Sequence, residues 1–141
     1  MSERGGDPPC WAHLFDDPEH SGHGLGAPVV ADLGAVTVRG NGAVWSLPHG
    51  GDLDANLVRL QSGGHIGEHV NDDVDVLMFV QSGGGHVRLG DVRVDLAPDH
   101  LVLVPRGERR AISAGPNGIT YLSVHRRRDP LGIKGSTKGN R

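Results

Sequence analysis

Cysteine is almost missing from these 141 residues: Cys10 stands alone, so no internal disulfide can form and nothing requires an oxidising compartment. Aromatic residues are scarce, at 4% of the chain, so any core must be built mainly from aliphatic side chains. No apolar run approaches the length of a membrane-spanning helix, and the first residues lack the basic-then-apolar pattern of a secretion signal. Charge of one sign is also lacking. The net charge is −3 with a pI near 6.3, which gives no general attraction to nucleic acid or anionic lipid. These absences predict a soluble, cytoplasmic protein with neither nucleic acid nor membrane as a partner.

What is abundant is turn-forming sequence. The 23 glycines and 9 prolines cut the chain into short segments and favour an all-β chain over a helical one. Residues 1–27 show no period and read as an irregular N-terminal arm. Strand-like runs follow over residues 28–126: Val36–Val38, Ala43–Leu47, Asp54–Gln61, Leu101–Val104, Ala111–Ala114 and Gly118–His125. Val87–Leu89 and Val92–Leu96 flank Gly90-Asp91 and read as a β-hairpin. That register places Val87, Leu89, Val92 and Val94 inward and sets Arg88 opposite Arg93 outside, which calls for either an acidic neighbour or a different register. Residues 127–141 are a basic tail, read as flexible. Strands punctuated at this spacing describe a single-domain antiparallel β-barrel or sandwich.

The chain is organised around residues 63–80. A turn-rich lead enters His69, Asn71 and Asp75, an apolar run follows, and Gly83-Gly84-Gly85 reads as the turn that ends it. His69, Asn71 and Asp75 share odd parity and would face one side of an extended strand. The opposite parity, Val74, Val76, Met78 and Val80, is apolar, and so are Leu77 and Phe79. A strand apolar on both faces needs cover on both, which predicts a homodimer.

This stretch resembles the first sequence motif of the cupin superfamily: a glycine, five residues, His-x-His, three or four residues, a glutamate, then a glycine. Gly63 and His69 match. Asn71 stands at the second histidine, Asp75 at the glutamate, and Ser82, just before Gly83, at the closing glycine. Asp99 to Arg110 is similar to the second motif, with Pro105-Arg106-Gly107 in place, Asp99 at the glycine and Arg110 at the histidine. The resemblance covers about residues 43–126 and implies a jelly-roll barrel. It also implies a pocket built from His69, Asn71, Asp75 and Arg110, with His49 or His125 within reach from neighbouring strands.

In cupins this set holds a divalent transition metal, and here only His69 is retained unchanged. Arginine cannot ligate, so the simplest reading has Arg110 replacing the metal's charge and pairing with Asp75. Three functions stay open on this resemblance. The first is a small-molecule-binding module whose anionic ligand meets Arg110, Asn71 and His69. The second is a metal-dependent oxygenase or isomerase using His69 and Asp75 with other histidines. The third is metal-free acid–base catalysis by His69 and Asp75. Separately, Cys10-x2-His13 and His20-x2-His23 have the paired spacing of a small zinc knuckle in the arm.

Overall fold

The computed structural model describes residues 28–48 and 51–128. The arm over residues 1–27 and its candidate zinc set Cys10, His13, His20 and His23 lie outside the described residues, as do His49 and residues 129–141. Residues 28–31 have no regular structure, and every strand belongs to the unit that begins at Asp32.

Among the described residues seven strands form: β1 (Gly42–Ser46), β2 (Leu53–Leu60), β3 (His65–Val70), β4 (Val76–Leu89), β5 (Val92–Leu96), β6 (Leu101–Val104) and β7 (Arg109–Arg126). All pairings are antiparallel. The expected strand over Val36–Val38 is absent. A 3-10 turn, Leu33–Ala35, precedes it, capped by Asp32, whose carboxylate accepts the Gly34 N–H at 3.1 Å. Three β-branched residues alone carry no pairing partner, and propensity without a neighbouring strand does not make one.

Two long strands define the architecture. β4 and β7 pair along nearly their whole lengths, from Val76↔His125 to Leu89↔Arg110. The late half of β7 also pairs with β2, and the early half of β4 with β6. The other halves pair with β3 and β5. One leaf is therefore β1-β2-β7-β4-β6 and the other β3-β7-β4-β5, with β4 and β7 shared by both. This is an antiparallel jelly roll, as the turn spacing predicts.

The shared strands bend where the register shifts, between Val80 and Gly85. Gly83-Gly84-Gly85 thus sits inside β4 rather than ending it, a correction to the sequence reading. A side chain on Gly85 would collide with the Ser113 carbonyl, one on Gly83 with the Gly118 carbonyl, and one on Gly84 would sit 2.7 Å from the Leu96 carbonyl oxygen. The strands can turn this corner only because no Cβ stands between them.

The core lies between the leaves. Val76, Met78 and Val80 of β4 point inward, with Val104, Ile112, Ile119 and Tyr121. The hairpin register is as expected, with Arg88 opposite Arg93, and the acidic neighbour is Asp95, which pairs with Arg93 at 3.1 Å. Val87, Leu89 and Val94 join the core or pack on it, but Val92 is exposed beside the turn. The first residues of the tail are anchored: Arg127 N–H donates to Asp52 O at 2.7 Å, and its guanidinium lies 3.6 Å from Asp54. Among the described residues, no helix is long and apolar enough to cross a membrane.

Candidate functional site

Between the leaves, away from the glycine corner, lies a cavity of about 500 Å³. β3 contributes Ile66 and His69, β4 contributes Val76 and Met78, and β7 contributes Arg110 and Ile112 from one half and Tyr121, Ser123 and His125 from the other. The polar members of β7 follow from its alternation. Ile119, Tyr121, Ser123 and His125 share one parity, and the first two are buried in the core. His69 and Arg110 are cross-strand partners, so β3 sets the imidazole beside the guanidinium.

Arg110 is the unusual group. It is 5% exposed, and its Nε and Nη2 have no hydrogen-bond partner. No carboxylate forms an ion pair with it among the described residues. Burial lowers its pKa; the nearby Tyr121 opposes that shift, and the Arg128 charge adds to it. Burial in turn pushes the Tyr121 phenol up to about 12, although the Arg110 charge works against it. The phenol is therefore neutral near pH 7 and available as a donor or acceptor.

The expected Asp75–Arg110 pair does not form. Asp75 is exposed on the other face of the first leaf, where its Oδ1 accepts the Arg106 N–H at 2.9 Å. The reason is a turn. β3 ends at Val70 and β4 begins at Val76, so His69 and Asp75 do not share one extended strand and their parity carries no meaning. Asn71 makes that turn: its Oδ1 accepts from Asp73 N at 2.9 Å and Val74 N at 3.3 Å. Asn71 still lines the cavity, but its amide oxygen is spent on the backbone. The proposed His69–Asp75 acid–base pair falls with the same geometry.

Two histidines line the cavity in similar states. His69 Nδ1 lies 2.9 Å from Gly67 O and His125 Nδ1 lies 2.8 Å from Arg126 O. A carbonyl only accepts, so each Nδ1 carries a proton and each Nε2 is the nitrogen left for other partners. At the rim, Asp73 faces Arg128 at 4.0 Å, and Asp72 is exposed.

The residues present do not fit the metal that the fold implies. An arginine replaces one imidazole, the amide oxygen of Asn71 is engaged, and Asp75 faces away. Among the described residues no group of three or more His, Cys, Asp and Glu side chains could hold an ion. A buried guanidinium at the same place would also repel a dication.

No family model matches the chain, and no curated protein does. Solved structures do. KdgF from a Halomonas species is 22% identical, with 62% of this chain and 80% of that one covered at a TM-score of 0.56. An uncharacterised conserved protein with a double-stranded β-helix domain from Klebsiella pneumoniae is 15% identical over 69% and 88%, at 0.60. A cupin protein from Bacteroides fragilis is 16% identical over 55% and 67%, at 0.51. The bent, shared strands and the glycine corner thus define a double-stranded β-helix. The fold is that of the cupins, as the two motifs imply.

Proposed function

We propose that this cupin-fold protein binds a small organic anion, carried by a carboxylate or phosphate, in the cavity bordered by Arg110. One observation carries the reading: a buried guanidinium with two unpartnered donors and, among the described residues, no carboxylate in an ion pair with it. Leaving such donors unmade costs free energy; both atoms are closed to solvent, so a ligand recovers it only as the guanidinium turns toward the cavity. Nε and Nη2 are neighbouring donors on one guanidinium, and two oxygens of a carboxylate or phosphate match such a pair. The Tyr121 and Ser123 hydroxyls and the Nε2 atoms of His69 and His125 then serve the rest of the ligand. The apolar wall of Ile66, Val76, Met78 and Ile112 favours a molecule with some carbon framework over a bare inorganic ion.

A thermal-shift comparison with chelator present tests this. Small carboxylates and phosphate esters should raise the melting temperature, and their neutral amides should not. Arg110→Met should abolish the shift. Stabilisation by one divalent metal alone, lost in His69→Ala, would instead establish the metal-dependent reading and overturn this one.

A further inference from the structure

The rim of the cavity carries charge of the opposite sign to Arg110. Asp72 and Asp73, in the turn between β3 and β4, line it, and Arg128, just past β7, faces them. Arg128 is engaged with Asp73: its Nε lies 4.0 Å from Asp73 Oδ2, and Arg126 donates to the Asp73 carbonyl at 3.4 Å. Asp72 is exposed and forms no ion pair among the described residues. The other charges near the turn look elsewhere. Asp75 accepts from the Arg106 amide on the outer face of the leaf, and Glu68 pairs with Arg109 at 3.6 Å on the surface. The remaining polar groups of the lining are Asn71, Tyr121, Ser123 and the imidazoles of His69 and His125. The rim thus holds one carboxylate in excess, while the wall holds a buried cation.

Two short chain paths limit the distance between them. His69 lies opposite Arg110, and Asp72 follows it by three residues. On the other strand, Asp72 Oδ1 stands beside Gly107, 3.9 Å from where a Cβ would be, and Gly107 precedes Arg110 by three residues. Gly107 N–H donates to Asn71 O at 2.7 Å, which ties the turn to that loop. Three residues span at most about 10 Å, so both paths put Asp72 within about 10 Å of the level of Arg110.

We infer that the ligand is a zwitterion: its carboxylate or phosphate meets Arg110, and a primary ammonium group at its other end meets Asp72 at the rim. This rests on the anion reading above and narrows it. An α-amino acid is too short, because its two charges are adjacent. An amine carried on a chain of roughly five carbons matches the span, and Ile66, Val76, Met78 and Ile112 take the chain. A second anionic group at the rim would meet the unpaired Asp72, with Arg128 already engaged, so a dianion fits less well. Asp72 is exposed, so its pull is modest and is screened by salt.

Nitrogen-15 NMR titration of the full chain at low salt tests the inference with probes of one length: hexanoate, 6-aminohexanoate, its N-acetyl derivative and adipate. At about pH 8 a free imidazole is neutral and an alkylammonium is charged. The amino acid should bind about threefold tighter than hexanoate, and the N-acetyl derivative and adipate no tighter than hexanoate. Asp72→Asn should remove that preference. Asp99→Asn, the same charge change beside Val80 at the glycine corner, should keep it. Adipate binding tighter than the amino acid overturns the inference in favour of a dianion. A preference that survives Asp72→Asn overturns it too, because the amine is then held elsewhere. Equal binding of all the probes overturns it and leaves the anion reading standing, whereas binding of none overturns both.

Discussion

Replacing Arg110 by methionine should make the ligand-free protein more stable. Methionine keeps a long unbranched stem against Ile112 while removing a desolvated charge and two unpartnered donors. Each such donor costs roughly 1–3 kcal/mol. Some of that is lost again because methionine leaves part of the guanidinium's volume unfilled. A net gain of about 2–3 kcal/mol is expected, or roughly 3 °C in Tm for each kcal/mol in a chain of this size. The assay is urea unfolding in chelator, on wild type and variant each unfolded, dialysed and refolded so that no bound molecule is carried through. The same variant should lose the carboxylate-dependent stabilisation, so stability and binding move in opposite directions. A loss of about 3–5 kcal/mol would refute the argument, because that is the signature of breaking a buried ion pair. Adding Asp75→Leu decides the point further. Asp75 bonds to the Arg106 amide on the other face, so the two effects should sum to within about 0.5 kcal/mol, whereas a buried pair would be strongly non-additive.

Tyr121 is the chain's sole tyrosine, so its ionisation can be followed directly by phenolate absorbance. Its folded pKa, about 12, lies above the ordinary 10.0. An acid whose pKa rises on folding contributes stability that is complete below the unfolded value and lost above it. Stability should therefore fall between about pH 10 and 12, by on the order of 2–3 kcal/mol, and a phenol titrating at 10 would contradict its burial. At the corner, Gly85→Ala drives a methyl into the Ser113 carbonyl and should cost roughly 3 kcal/mol or more in chemical denaturation; a neutral result would mean that the strands are not so close.

Much of the fold is legible residue by residue. The Gly90-Asp91 turn fixes the hairpin, even to the awkward Arg88–Arg93 opposition and the acid that relieves it. The second motif is legible at Asp99, which stands where cupins carry glycine and has the left-handed φ of 73° that explains the family preference. Aspartate is among the few other residues that tolerate it. The site was harder to read. Periodicity assigns a face only within one continuous strand, and a single Asn71 side chain interrupts it between His69 and Asp75. The same limitation hides the corner, because a triple glycine reads as a turn until a partner strand is seen to need the space. Arg110 and Ile112 share parity within one continuous strand, so alternation does give the inward position of Arg110. Its expected partner, Asp75, rests on a charge balance that the fold leaves unmet.

The two bent strands also govern how the cavity comes into being. Arg110 and Ile112 lie before the corner of β7, and Tyr121, Ser123 and His125 lie after it. The two groups do not meet until β4, far away in sequence, has zipped along both halves. Such long-range pairing is slow to form and is rewarded late in folding. Each leaf alone carries only one wall of the cavity, so a folding intermediate with only one leaf does not enclose the anion. Binding competence and the global transition should therefore arrive together. For the same reason, amide exchange at Arg110 and at Tyr121 should proceed through whole-molecule opening rather than through local fraying.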